Sequence, residues 1–315
     1  MTTTTLNRAA LSRVIAFANG KGGVFKTSLT TTFAGLSAKA GYRVLIVDLD
    51  PQGNAGEDLG YETDGGEELV SSLMLGISHP LDPNITQVRP GIDVISGGEK
   101  LNDLAAMLVA RGMRGGEVNN LLAASLAELM QRRTDADGNL PYDLVLIDCP
   151  PGEPTLQLLA LCAARWLVIP TKADNASLRG MAQIASRVVE ARQYNETVDL
   201  LGVVLCDIVT SAKRLRRDTE AKITTMLSGA APLFSNVIRN STSAYNARDQ
   251  GLLAFEYSEQ TSAEPFWEAL KAGRSPKSIG SAPALAEDYV LLADEILRRI
   301  AALEGETLEL EAVQA

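Results

Sequence analysis

The sequence predicts an α/β fold: a doubly wound, mostly parallel sheet with helices on both faces. Three observations carry that prediction. Short apolar runs recur at Val14 to Ala18, Arg43 to Val47, Tyr142 to Ile147 and Trp166 to Pro170, the pattern of strands covered on both faces. Two of these runs end in an acid, Asp48 and Asp148. Helical stretches alternate with the runs, which implies right-handed crossovers between parallel strands.

At 315 residues, 46% hydrophobic and 22% charged, the chain can bury a sizeable core. We expect a short lead-in over residues 1–12, one domain over 13–303 and an acidic tail over 304–315. No run of eighteen apolar residues occurs, and the first fifteen residues lack the apolar core and cleavage site of a signal peptide. A soluble, cytoplasmic protein is expected. Cys149, Cys162 and Cys206 have no metal-ligand spacing and sit in apolar segments, where a small buried hydrophobe serves. His79, in Ser-His-Pro, has no neighbour that would make it catalytic. The net charge of −10 does not suit nucleic-acid binding by the surface as a whole, so any such contact needs a local basic patch.

The first strand runs into Asn19-Gly-Lys-Gly-Gly-Val-Phe-Lys-Thr-Ser28, followed by a helical pattern from Thr27 to about Ala40. Strand, glycine-rich loop and a helix opening on Lys-Thr/Ser make a phosphate cradle. Backbone N–H groups line the loop, the helix N-terminus adds positive potential, and a lysine reaches the terminal phosphates. The segment reads as an ATP site built from Gly20, Lys21, Gly22, Gly23, Val24, Phe25, Lys26, Thr27 and Ser28. It departs from the ordinary Walker A pattern G-x-x-x-x-G-K-[ST] at Phe25, which stands in the second glycine's place. A dinucleotide fingerprint would need glycine at that same residue.

The second strand ends in Asp48-Leu-Asp-Pro-Gln-Gly-Asn54. Carboxylates at the carboxyl end of a parallel strand, beside a phosphate loop, are placed to hold magnesium with its waters and to orient an attacking water. Between Gly56 and Leu140 we expect a glycine-rich acidic loop at Asp64 to Glu68, a short strand at Ile92 to Ser96, and helices near Glu99–Arg111 and Val118–Arg133. Leu122, Leu126, Leu129 and Met130 fall at core-facing helical spacing. The turn at Asp135 to Asn139 lacks the twelfth-position glutamate of a calcium loop. Tyr142 to Asp148 is a third buried strand, and Cys-Pro-Pro-Gly152 follows it. Its shape is that of a Walker B segment, with Asp148 holding magnesium through water.

Strand Trp166–Pro170, helix Ala176–Arg192 and strand Leu200–Leu205 come next. They lead to the densest cationic cluster, Lys213, Arg214, Arg216 and Arg217. A solvated helix face neutralised by Asp218 and Glu220 is one reading; a phosphate-contacting patch for DNA is the other. Helices are expected over Pro265–Ala272 and Ala286–Leu303, the latter with Tyr289, Leu292, Ile296 and Ile300 on one stripe. An acidic end disfavours membrane anchoring, which needs a basic amphipathic segment.

Lys21-Gly-Gly-x-x-Lys26-Thr27, the D-x-D-P-Q-G-N of Asp48 to Asn54 and the h-h-h-h-D-x-P-P-G ending at Gly152 stand in order on three strands. Together they resemble the ParA/MinD family of dimerising ATPases with a deviant Walker A motif. The resemblance spans residues 13 to about 260. It implies a homodimer on ATP binding, with Lys21 crossing to the partner's nucleotide and Gly22 too close to the facing loop to bear a side chain. It implies Lys26 on the β- and γ-phosphates, Asp50 on the attacking water, and Thr27, Asp48 and Asp148 about the magnesium. Asn236 to Asn240 resembles the family's I-P-R-N segment, with Arg239 in the DNA-contacting place and Ile238 where the proline belongs. Val209 stands where relatives often carry a base-recognising aspartate.

The resemblance further implies nonspecific DNA binding, nucleoid association when ATP-bound, and a ParB-like centromere-binding partner. The lead-in leaves no room for an operator-binding helix-turn-helix. Two other readings are a MinD-like positioning ATPase and a metabolic or electron-transfer ATPase of the same superfamily. Cys149 has no matching second cysteine for an iron–sulfur cluster.

Overall fold

The computed structural model describes residues 6–227, 232–262, 271 and 280–314. A 3-10 turn at Arg8–Leu11 precedes β1 (Val14–Phe17), and the phosphate loop leads to α1 (Lys26–Lys39) and β2 (Val44–Asp48). Next come α2 (Ala55–Leu59), α3 (Glu67–Leu75), β3 (Ile85–Arg89), β4 (Ile92–Ile95), α4 (Lys100–Met113) and α5 (Leu121–Arg132). Then follow β5 (Leu144–Asp148), α6 (Pro154–Ala163), β6 (Trp166–Thr171), α7 (Asn175–Ala191), β7 (Asp199–Ile208) and α8 (Lys213–Met226). The chain finishes with β8 (Ile238–Arg239), α9 (Ser243–Arg248), α10 (Ala254–Ser262) and α11 (Ala282–Gln314). The helix expected over Pro265–Ala272 falls almost wholly outside the described residues.

The strands form one sheet in the order β3-β4-β2-β5-β1-β6-β7-β8. Every pairing is parallel except β3 with β4. This is the α/β, mostly parallel sheet that the sequence predicts. Every residue of β1, β2, β5 and β6 is buried, which explains their unbroken apolar runs. Alternate side chains serve the two faces. Val14 and Ala16 join a core with α4 to α7, whereas Ile15 and Phe17 join one with α1 and α11.

The chain leaves β1 in one direction toward β2 and β4, and later passes to the other side through β6 and β7. Such a reversal opens a crevice at the carboxyl ends of the central strands. The three motif segments therefore converge at β1, β2 and β5.

α11 departs from expectation at its end. Residue 304 begins no separate tail: the helix continues to Gln314, and Glu304 receives two hydrogen bonds from Arg13, each 2.8 Å. The expected stripe of Tyr289, Leu292, Ile296 and Ile300 is buried as read, with Leu285 added. The antiparallel edge strand β3, with Gln87 in the left-handed region at φ 52°, was not anticipated. Among the described residues no helix is long and apolar enough to cross a membrane.

Candidate nucleotide site

The phosphate loop is braced from one side. The Ala18 N–H donates to the Val168 carbonyl at 3.1 Å and the Gly20 N–H to the Gly180 carbonyl at 3.2 Å. Buried Asn19 donates through Nδ2 to the Pro170 carbonyl (2.8 Å), and its Oδ1 accepts from the Lys21 N–H (2.9 Å). The loop's first turn thus rests on β6 and on the backbone of α7. Of the two contact glycines Gly180 is sterically required, whereas Gly20 meets first the end of a flexible side chain. A Cβ on Gly20 would lie 2.4 Å from Gln183 Oε1, and one on Gly180 would lie 2.2 Å from Asn19 Oδ1 and 2.8 Å from the Lys21 nitrogen.

Phe25 resolves the departure from the ordinary motif. It adopts φ 74°, ψ 18°, the left-handed conformation that the missing glycine would supply freely. A bulky residue there costs on the order of 1–3 kcal/mol. Its half-buried ring lies 5.3 Å from Lys172 Nζ, and Lys172 is itself ion-paired to Asp207 at 2.8 Å. The backbone at this position is therefore one that glycine would adopt without strain.

Lys26, only 5% exposed, donates from Nζ to the Lys21 carbonyl at 3.1 Å. Burial pulls its pKa down, and Asp148 and Asp50 partly oppose that pull. Facing it, Asp48 and Asp148 are the paired last residues of adjacent β2 and β5. The Asp48 carboxylate accepts from the Asp50 N–H (2.9 Å) and the Ala55 N–H (3.4 Å); burial still pushes it up to about 7. Burial, followed by the neighbouring Asp48, raises Asp148 well above the carboxylate range. Neither Asp148 oxygen has a hydrogen-bond partner of ordinary geometry, although Thr27 is near enough to favour its charged form. Asp50 accepts from the Gln52 N–H at 3.0 Å and is also raised by burial.

Wholly buried carboxylate oxygens without donors fit a hard cation held partly through water. Thr27, Asp48 and Asp148 would hold magnesium here. Among the described residues no group of three or more His, Cys, Asp or Glu forms a closed metal cage, and magnesium beside phosphates needs none.

Lys21, 39% exposed at its side chain, lies 3.7 Å from Asp174, which caps α7 by accepting from the Ala176 and Ser177 N–H groups. Gly22 is open: a Cβ there would meet only Pro151 at 3.7 Å. Several supporting residues escaped the sequence reading because their contacts are long-range. Gly97 packs against the Asp48 and Asp50 carbonyls, where a Cβ would lie 2.7 Å from each. Gln157 donates to the Pro150 carbonyl and accepts from Arg187, both at 2.8 Å, holding the turn after Asp148. Under α1, Asp58 accepts from Thr31 (2.9 Å) and ion-pairs with Arg248 (3.2 Å).

The basic residues gather only in part. Lys213, Arg216 and Arg239 line a cavity of about 300 Å³ with Asn236 and Asp288, whereas Arg214 and Arg217 lie outside it on α8. Arg239 is held by Asp288 through two hydrogen bonds of 2.6 Å, and Arg216 by Glu220 at 2.7 Å and the Ser235 carbonyl at 2.8 Å. Cys149, Cys162 and Cys206 are buried free thiols, as read.

Fold and site together define a P-loop ATPase whose loop carries two lysines, Lys21 and Lys26. The chain matches the AAA domain family model over residues 12–200 and belongs to that family, with the ParA and Soj ATPases. It is similar to the chromosome partitioning protein ParA of Caulobacter vibrioides, 31% identical over 194 residues that make up 61% of this chain and 68% of that one. It is also similar to the chromosome-partitioning ATPase Soj of Thermus thermophilus, 35% identical over 61% of this chain and 68% of that one. Among solved structures it resembles cobyrinic acid a,c-diamide synthase from Mycobacterium smegmatis with bound ADP and magnesium. The TM-score is 0.61 and the identity 26%, covering 84% of this chain and 98% of that one.

Two outcomes follow from this geometry. Gly180→Ala should displace the loop's first turn while leaving the sheet folded, weakening ATP binding by about tenfold or more, the scale of 1.4 kcal/mol; unchanged affinity in titration calorimetry would sink the bracing argument. The second concerns pH. Asp48 and Asp148 titrate above their ordinary range, so the folded chain keeps protons that the unfolded chain releases. The contribution of this pair to the stability of the magnesium-free, nucleotide-free protein should then fall as pH rises from about 4, the ordinary carboxyl value, to about 7. Asp48→Asn should therefore gain melting temperature relative to the wild type as pH rises across this window. A difference between the two that does not change with pH would contradict it.

Proposed function

We propose that this chain is a DNA partition ATPase: ATP closes two copies face to face, the dimer binds DNA without sequence preference, and a ParB-like centromere-binding partner stimulates hydrolysis and release. The observation that carries the reading is the pairing of a half-exposed Lys21 and an open Gly22 on the loop's outer side with a buried, cation-seeking acid pair on its inner side. The similarity to chromosome-partitioning relatives supports the same choice.

Magnesium supplies charge neutralisation and a water shell to the triphosphate when bound. Lys26 holds the β- and γ-phosphates, with the Gly20–Ser28 backbone around them. Thr27 and Asp148 hold the metal side, Asp48 supports it, and Asp50 orients the attacking water. Lys21 leaves Asp174, a screened contact worth little, for the partner's phosphates. Lys213, Arg216 and Arg239 carry the DNA contact, with Arg214 and Arg217 at its edge. A cytoplasmic protein that joins the nucleoid in its ATP state fits this cycle.

A metabolic reading, ATP-driven amide formation, draws on the similarity to cobyrinic acid a,c-diamide synthase. ADP release that depends on a small acid substrate and an amide donor, with no effect of DNA, would favour it.

Gly22→Val tests the dimer. The protomer has room for the side chain, so the variant should fold and bind ATP normally yet sediment as a monomer with ATP; an ATP dimer in this variant would count against the facing-loop arrangement. DNA binding tests the function itself. On nonspecific duplex, binding should need ATP and weaken with salt, and Arg216→Ala or Arg239→Ala should each reduce the logarithmic salt slope by about one. Binding insensitive to nucleotide, or slopes unchanged in both variants, would displace the patch.

A further inference from the structure

The short helix α2 has five residues, too few to hold its own shape in water, so its place depends on what the rest of the chain brings to it. It follows the D-x-D-P-Q-G-N segment without a break. The Gly53 N–H donates to the Asp50 carbonyl at 2.9 Å, the Gly56 N–H to the Gly53 carbonyl at 3.1 Å, and the Glu57 N–H to the Asn54 carbonyl at 3.2 Å. These linked turns carry any shift of α2 back to Asp50.

Two arginines from distant segments hold α2. Arg89, which ends β3, donates to the Leu59 carbonyl at 3.0 Å and to the Gly251 carbonyl at 2.9 Å. Arg248, on α9, reaches the Asn54 carbonyl at 3.4 Å, and its Nε lies 2.9 Å from Glu57 and 3.2 Å from Asp58. That Nε has no hydrogen bond of ordinary geometry to either carboxylate, so the tie is one of charge.

Glu57 is exposed, whereas Asp58 is buried and turned toward α1. There its Oδ2 accepts from the Thr31 hydroxyl at 2.9 Å, one helical turn beyond Thr27 on the metal side. Burial raises Asp58 above the usual carboxylate range, and Arg248 first, then the Thr31 and Ser28 hydroxyls, favour its charge. Asp58 thus touches the helix that carries Thr27 on one side and Arg248 on the other. In a buried ion pair desolvation offsets much of the attraction, so stability is a weak account of it. Holding one arrangement against others is the better account.

We propose that Asp58 and Arg248 form a positioning pair for hydrolysis: they fix the segment bearing Asp50 against α1, so that Asp50 meets the attacking water at the γ-phosphate. The proposal rests on the role assigned to Asp50 and is independent of DNA partition.

ATP hydrolysis with magnesium tests it in Asp58→Asn, Arg248→Gln, the double variant and Asp50→Ala. Turnover is expressed per nucleotide site, counted by calorimetric titration with ADP, so that unfolded protein does not enter the rate. Each single variant of the pair should lower kcat by about tenfold or more, within the roughly hundredfold that a 1 Å misplacement can cost, with KM for ATP unchanged. The double variant should be no slower than the slower single, because the two side chains act as a unit. Arg248→Lys, which keeps the charge, should recover part of the loss; with Arg248→Gln it serves if Asp58→Asn melts early. Wild-type kcat per site in both single variants, beside a loss in Asp50→Ala, overturns the pair alone. Losses that multiply in the double variant, or a raised KM at unchanged kcat, overturn it as well. Wild-type turnover in Asp50→Ala removes the Asp50 assignment and the proposal with it.

Discussion

Two carboxylates, wholly buried and side by side, set the terms for the rest of this molecule. Asp48 and Asp148 are neighbours because β2 and β5 pair in register up to their last residues. Neither acid can ionise cheaply in that position, and Asp48 makes ionisation harder still for Asp148. A buried anionic pair persists only with a proton or a cation to balance it. Lys26 lies close enough to act on Asp148 but is itself penalised by burial. The arrangement is thus poised for an additional cation, which makes phosphate and metal binding mutually supporting rather than sequential conveniences.

The loop that faces those acids is equally constrained from outside. Its first turn rests on Gly180 of α7, where a methyl group would meet Asn19 Oδ1 and the Lys21 nitrogen. Asp174, at the start of the same helix, faces Lys21 across 3.7 Å. A shift of α7 therefore reaches the loop through Gly20, whereas the exposed Lys21–Asp174 contact can part at little cost to the helix. Phe25 tolerates its unfavourable backbone because the surrounding contacts over-determine it, the circumstance in which such strain survives.

Much of this was legible in the sequence, and the rest was hidden for physical reasons. Strands β1, β2, β5 and β6 were readable because burial on both faces leaves continuous apolar runs, and the acids ending two of them marked the sheet's functional edge. β3 was not readable: Ile85-Thr-Gln-Val-Arg is short, mostly half-exposed and broken by a left-handed Gln87. The acid-rich end looked like a tail by composition. Yet Leu, Ala and Glu are good helix formers, and Glu304 finds Arg13 across 291 positions of sequence. Gly97, Gly180 and the Asp58–Arg248 pair carry no local signature at all, since what makes them necessary is the backbone or charge brought against them by the fold. Phe25 departs from the motif in side chain, yet its backbone takes the left-handed conformation that glycine favours.

Net charge is the remaining tension, because a chain of −10 is a poor candidate for contact with a polyanion. Distance resolves it. At physiological salt, charges more than about 8 Å apart are largely screened, so a local cluster acts on its own terms. Within that cluster, Asp288 and Glu220 already hold Arg239 and Arg216. Each phosphate contact proposed for these side chains would replace an existing carboxylate contact, and its net gain is correspondingly small. On the proposed reading, DNA binding would then be weak and salt-sensitive. That is the binding a cycling ATPase requires, since an affinity large enough to survive hydrolysis would leave the nucleotide state without control over release.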